Sequence, residues 1–596
     1  MRLSSSKIES FVGDIIPLKL VCERDISRER IAWRVDGNAA TLRGFENDEK
    51  MPFTDGVLLT LCMVGEAVVT ATLDGESYSA SVRVRDMHRA SPTDTLNYYT
   101  GDLHDHTCPI NGYDEFAARK TSLPRDYISQ VRAEGLLDFT AISDHSEPLN
   151  AREFFDNFFV AEEACQDIVV FPGCECDVTV MDEDRYGIPV KRSGEIVCFN
   201  SDDYAECTSW EQFYGAVARK PYSICTFAHP QIVGFAKKGI WDFTLYKNNT
   251  PEMLRAVRMM EMGDGSLRQS NIIHEMMYSV ALDNGFKVST TCSSDSHGPV
   301  WGYHRFPGKT VIMAPERTKE AFLDAMENNR VYATESGNLK LSYTVNGMTA
   351  PTTLTPVDEY EFSVSVSYFR DDESTVPAEC RVISDKGKTV ATIKDVDFSN
   401  FSFTLTAPTA GYFYLRFKDR ENRRTWSPPV WTGRALCGTT PPELCEIDKA
   451  GFSVCDLVSG DDADTLVNGD PLTHWISPER TADIVIDMGR VEKVAGLGHY
   501  PRVIWRSLIE DWYGGTPPLL AEFPVENTVS ASLDGEHYDI CDEGIFRCYG
   551  SEEIISFESR DARYVRLTIH SNVATYKGIP EFADRGLAIG ELTLYK

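Results

Sequence analysis

The chain has 596 residues, 42% of them hydrophobic and 11% aromatic, as packed globular domains have. At roughly 150 residues per domain, this length predicts about four domains. A formal net charge of −32 argues against nucleic-acid or membrane partners, since it repels phosphate backbones and anionic lipid.

Residues 1–95 carry short alternating apolar and polar runs at 15–22, 30–35, 67–73 and 78–84, with turn signals at Asp36-Gly37 and Asp74-Gly75. They predict an immunoglobulin-like β-sandwich. From 96 to 338 strand patterns alternate with helix patterns, which predicts a β/α unit with helices at 125–135, 210–220, 270–285 and near 318–327. Seven strand-like runs there each carry a histidine or carboxylate at or near one end. The first leads into His104 and His106, the second into Asp144 and His145, the third into Glu175. The fourth opens on Glu195. The remaining three lead into His229, Glu261, and Asp295 with His297. A β/α barrel produces this rhythm, because it gathers chemistry at the C-terminal mouth of its strands. Residues 339–437 return to β alternation, and 438–596 form a further all-β unit. The fold class is therefore multidomain α/β plus all-β, a seven-stranded β/α barrel flanked by β-sandwiches.

His104 and His106 are two apart on an extended segment, so both side chains leave one face, as two ligands of one ion must. Each pair alone is weak; their convergence in one unit is strong. Histidine and carboxylate without cysteine suit Zn²⁺, Mn²⁺ or Fe²⁺ in a hydrolytic site. Asp144, beside His145, is a candidate for orienting a ligand or moving a proton, and His145 and His297 are catalytic candidates. His304, Arg305 and Glu261 are candidates for touching substrate at the mouth. His274, mid-helix, reads as packing. Sixteen cysteines lie thinly spread, several inside apolar strands, and read as buried reduced thiols. Cys174 and Cys176 flank Glu175 on the opposite strand face, with no second Cys pair to complete a thiolate site. No apolar run is long enough for a bilayer, and the first ten residues lack a signal h-region. The expectation is a cytoplasmic protein, or a secreted one if a leader was removed. The oligomeric state is not legible.

The segments 101–107 (GDLHDHT), 143–145 (SDH), 171–175 (FPGCE), 227–230 (FAHP) and 293–297 (SSDSH) resemble the motifs of the PHP (polymerase and histidinol phosphatase) superfamily. The resemblance covers about 96–338. It implies a distorted barrel of seven parallel strands and a two- or three-metal centre. His104, His106, Glu175 and Asp295 would hold one metal. Glu175 would bridge to a second also held by His229, and His145 and His297 would belong to a third. The family usually has Gly-His on the fourth strand. Gly194-Glu195 stands there instead, so Glu195 either substitutes as a ligand or weakens the second site. Trinuclear members carry a histidine shortly after His-x-His; 108–113 has none, which leaves one to three ions open.

The segments 466–475, 483–489, 529–535, 562–567 and 589–592 resemble the discoidin, or coagulation factor 5/8 type C, fold, shared by family 32 carbohydrate-binding modules. That resemblance implies a structural Ca²⁺ near Asp470 and Glu591 and either a sugar-binding or a purely structural role. Together the readings imply a metal-dependent hydrolase, favouring a phosphoesterase on a sugar-containing or glycan-derived small molecule. The alternatives are hydrolysis of glycosidic, ester or amide bonds in glycoconjugates, or a non-catalytic carbohydrate-binding protein. A polymerase-associated proofreading role conflicts with the charge and with the lack of a polymerase segment.

Overall fold

A computed structural model describes residues 1–26, 29–45, 53–107, 113–114, 119–120, 122–146, 149–164, 167–183, 185–203, 220–230, 251–263, 271–297, 307–438, 442–455, 462–503, 520–547, 552–578 and 582–596. The expected helix at 210–220, save Lys220, and the candidates His304 and Arg305 lie outside these residues. The chain is mostly β-sheet. No helix among the described residues is long and apolar enough to cross a membrane.

The N-terminal unit is a sandwich of two four-stranded sheets. Its strand Glu76–Arg85 alternates strictly, burying Ala80, Val82 and Val84, as a half-solvated strand must. It is fixed to the next unit by Arg85 on Glu320 and by the Phe53 ring against Phe155, 5.0 Å between centroids.

The second unit contains β1 (Asn97–Gly101), β2 (Phe139–Ile142), β3 (Val169–Glu183), β4 (Pro189–Phe199), β5 (Ile224–Ala228), β6 (Val257–Gly263), β7 (Ser289–Cys292), β8 (Lys309–Ala314) and β9 (Val331–Thr334). Its helices are α1 (Pro124–Glu134), α2 (Ala151–Ala164), α3 (Pro251–Ala256), α4 (Asn271–Asp283) and α5 (Lys319–Glu327). The α1 helix ends where Gly135 takes a left-handed φ of 64°, and α5 starts where Thr318 accepts from the Ala321 N–H. The strands lie in the order β7-β6-β5-β4-β3-β2-β1-β8-β9.

Not all seven strands are parallel, which corrects the expectation. β1, β2 and β3 run parallel, as do β5, β6 and β7, but β4 is antiparallel to both neighbours. Only residues 184–188 separate β3 from β4, too few for the crossover a parallel pair needs, so the two form a long hairpin. β7 meets β8 and β9 through side chains: Thr310 Oγ1 bonds both the N–H and the carbonyl of Cys292, and Thr290 Oγ1 accepts from Ala333 N.

The expected break after residue 338 is not a break in the sheet, because β9 pairs with Arg424–Trp426 of the following sandwich. The C-terminal unit is an antiparallel sandwich built on the long strands Ala482–Pro501 and Glu553–Ile569, with Trp475, Leu497 and Phe523 in its core. Several contacts among the described residues lock it to the rest. Buried Arg416 binds Glu275 at 2.9 and 3.0 Å and Tyr576 at 3.1 Å. Arg547 joins Asp283 and Glu553. Arg185, at the tip of the β3–β4 hairpin, reaches Glu446 at 2.8 Å and Glu552 at 3.0 Å.

Candidate metal centre

Beyond the last regular residues of the strands, single bridges continue the rim. Asp105 pairs with Ser296 and His145 with Glu175. The His106 N–H donates to Ser296 O, the Asp295 N–H to His104 O, and the Glu175 N–H to Asp144 O. These contacts bring three strand-end loops into register with one another and with β3. Strand alternation then turns His104 and His106 inward and sends Asp105 away, where it accepts from Tyr127 Oη at 2.6 Å and from Ser294 Oγ.

Six side chains meet on the inner side. His104 Nε2 lies 3.1 Å from His106 Nε2, 3.3 Å from Glu175 Oε1 and 3.5 Å from Asp295 Oδ1. His106 Nε2 lies 3.1 Å from Asp295 Oδ1 and 3.4 Å from Glu175 Oε2. His229 Nε2 lies 3.0 Å from both Glu175 Oε1 and Glu195 Oε2. Donors about 2.0–2.2 Å from a shared ion stand about 3.0 Å apart on an octahedral edge and about 3.4 Å apart on a tetrahedral one. The observed separations match such edges, so the residues fit a divalent ion between His104, His106, Glu175 and Asp295. They also fit a second ion between Glu175, His229 and Glu195. Two imidazole Nε2 atoms at 3.1 Å are otherwise a poor packing choice for a fully buried site.

The antiparallel course of β4 explains Glu195. It lies in the middle of its strand, yet it pairs with Ala228, the last residue of β5. A reversed strand delivers that position to the same rim as the C-terminal ends of its parallel neighbours. His145 and His297 form a third group with His106: their Nε2 atoms are 3.0 Å apart, and the His106 ring stacks on both, with centroids at 4.3 and 4.0 Å.

Electrostatics follow from this crowding. Burial alone would lower the His104 pKa, but Glu175, Glu261 and Asp295 hold it well above the ordinary range. Burial opposes His229 too, and its contact with Glu175 raises it to about 9. Burial would raise Glu175, yet His104 and His229 hold it well below the carboxylate range; His297 and His104 do the same for Asp295. Burial, with His106 beside it, keeps His145 well below the ordinary value, in the neutral form that ligates. His229 and Asp295 also sit at positive φ, 24° and 45°, and such strain collects at functional sites.

One expectation changes. Glu261 does not face the mouth: it is fully buried, meeting His104 Nδ1 at 3.2 and 3.4 Å and accepting from the His229 N–H at 2.7 Å. It steadies the His104 ring and the His229 backbone from behind. Asp144 accepts from Thr107 N and Oγ1 and from Asn157 Nδ2, and so ties the loop after His106 to α2. Among the described residues of the cluster, Asp295, with 22% of its side chain exposed, and His297, with 12%, are the most open. Sequence reasoning missed the supporting shell of Tyr127, Ser294, Thr107 and Asn157. Thr107 and Ser294 lie inside the segments 101–107 and 293–297, whereas Tyr127 and Asn157 sit on α1 and α2 with no local signal.

Asp470 and Glu591 do not fit a calcium ion. The Lys449 ammonium already sits on the Glu591 carboxylate, which also accepts from Gly469 N, and burial pushes that carboxyl up to about 7. Asp470 accepts from Leu472 N within its own exposed turn.

No family model matches the chain, and no curated protein matches it. Solved structures resemble about a quarter of it. One is the CpGH89CBM32-5 module from Clostridium perfringens in complex with GalNAc-β-1,3-galactose, at 15% identity and a TM-score of 0.20, covering 26% of this chain and all of that one. The family 32 module of Clostridium perfringens NanJ, in complex with galactose, matches at 16% identity and 0.20 over the same shares. The C-terminal domain of a chitobiase from Bacteroides fragilis matches at 20% and 0.19, covering 25% of this chain and 96% of that one. Fold and site together define a multidomain, mostly β protein with a buried histidine–carboxylate cluster at the rim of its mixed sheet.

Proposed function

We propose that the chain is a metal-dependent hydrolase with a dinuclear centre, joined by His145 and His297 where a third ion is bound. The observation that carries this is the set of donor separations of 3.0–3.5 Å among His104, His106, Glu175, His229, Glu195 and Asp295. Zn²⁺, Mn²⁺ or Fe²⁺ bound there supplies Lewis acidity and a water activated near neutral pH. The chain's own residues do the rest. Glu175 stands between the two groups, its Oε1 facing both His104 and His229, and would tie them together. Glu261 fixes the ring of His104 and the backbone of His229. His297, the more open of the two outer histidines, would hold or move a proton at its Nε2 when no third ion engages that atom.

The preferred substrate class is a phosphoester on a small sugar-containing molecule. The PHP-like motifs support phosphoester chemistry, the discoidin-like motifs support a sugar, and the charge of −32 disfavours a long polyanion. Esters, amides and glycosides remain the alternative bonds. The test is a screen of metal-loaded protein on chromogenic phosphomonoesters, phosphodiesters, acyl esters and glycosides, with His104→Ala as the blank. Metal-dependent phosphoester turnover absent from the blank is expected. Turnover confined to esters or glycosides would overturn the phosphoester assignment alone. No turnover of any class at full loading would favour a binding protein.

A further inference from the structure

A cavity of about 390 Å³ lies where the N-terminal sandwich meets the second unit. The turn after strand Lys7–Phe11 and the segment after strand Glu76–Arg85 form one side of it. The residues after β4 and before β5, with α5, form the other. Tyr222 in its wall precedes β5 and His229 at the metal centre follows it, so the two places are about 20 Å apart along the strand.

Its wall is held from both units. Asn200 is buried, and its Nδ2 donates to Gly13 O at 2.8 Å and to Tyr222 O at 3.1 Å. Both amide hydrogens are thereby used, which fixes the amide, and Oδ1 is left with no donor among the described residues. Gly13 sits at φ 98°, and a Cβ there would stand 2.9 Å from the Tyr222 ring, so glycine lets the turn close on that ring. A buried oxygen without a donor is costly, and a ligand hydroxyl would satisfy it. Phe11, Met87 and Leu323 give the cavity an apolar face. Its charged groups carry both signs. Arg89 donates to Asp324 at 3.0 Å and to Glu327, and Glu327 also acts on Arg258. Those four charges answer one another, so an ionic ligand gains little there. Asp86 lines the cavity from an exposed position and adds a further acceptor. Donors and acceptors together over an apolar face suit a neutral ring that carries hydroxyls and presents C–H faces.

We propose that this cavity is a second binding site, for a single neutral polyol ring such as a monosaccharide, with Asn200 Oδ1 and Asp86 accepting from its hydroxyls. The volume falls at the lower end of the range of small-molecule sites, which suits one ring. The site is independent of the metal centre and of the activity proposed for it.

Calorimetric titration of the full chain with glucose, galactose and myo-inositol in turn tests this. None of the three carries a bond for a hydrolase to break, so the result stands apart from the hydrolase reading. Saturable binding of at least one is expected. Met87→Trp places an indole in the cavity and should weaken that binding by about tenfold or more. Asp86→Ala, an exposed change that leaves the fold intact, should weaken it several-fold by removing an acceptor. Sugar held by the C-terminal unit is unaffected by either variant. Absence of saturable binding in the wild type overturns the proposal, and so does wild-type affinity in a folded Met87→Trp protein. If that variant does not fold, wild-type affinity in Asp86→Ala overturns it instead.

Discussion

Replacing Glu261 by Gln isolates the role of a carboxylate that touches no substrate. Its oxygens lie 3.2 and 3.4 Å from His104 Nδ1, and one accepts the His229 N–H at 2.7 Å. A ligating Nε2 leaves Nδ1 as the donor, so His104 needs an acceptor behind it. Gln fills the same volume and keeps one oxygen for His229, but presents N–H groups to His104 Nδ1. Losing such an outer carboxylate costs about 10–100-fold in metal affinity, or about 1.4–2.7 kcal/mol. Competition for Zn²⁺ against a chromophoric chelator measures this directly, with thermal unfolding as the control for folding. Affinity within twofold of wild type would refute the reasoning. Unchanged metal affinity with weakened substrate binding would instead return Glu261 to the mouth of the site.

His499 is fully buried, stacked on Phe546 at 4.2 Å, and burial lowers its pKa to about 3. The unfolded chain takes up the proton near 6.5 and the folded one does not, so stability should fall as pH drops from about 6.5 towards 3. The loss is on the order of 4–5 kcal/mol at most; denaturant melts across that range should show it, and His499→Leu should flatten it. Arg416→Ala leaves Glu275 buried without its cation and should cost about 3–5 kcal/mol in thermal unfolding, largely recovered in Arg416→Met with Glu275→Leu. A loss under about 1 kcal/mol would mean the pair does not hold the units together. In Gly173→Ala, the new Cβ would lie 2.1 Å from Cys198 O, so β3 and β4 must part. A stability cost of about 1–3 kcal/mol and weaker metal binding should follow, since Glu175 and Glu195 ride on those strands. Wild-type chelator competition by a folded Gly173→Ala protein would argue against that coupling.

The sequence by itself determined which residue types gather in the cluster. His104, His106, Glu175, His229 and Asp295 follow strand-like runs, and a residue type at a strand end is a local property that periodicity reveals. It also determined the alternation of the outer sandwiches, where one face of each strand must be apolar. Strand direction was decided only by the tertiary structure. A run of residues reads the same whether its neighbours run with it or against it, so the reversal of β4 was invisible, and with it the reason Glu195 reaches the rim from mid-strand. Burial was decided there too. Glu261 and Asp144 carry the same carboxylates as Glu175 and Asp295, and only packing separates those that support ligands from those placed to bind an ion. The Lys449 ammonium on Glu591 belongs with these cases: 142 residues separate the two, and no local pattern announces a cation delivered across that distance.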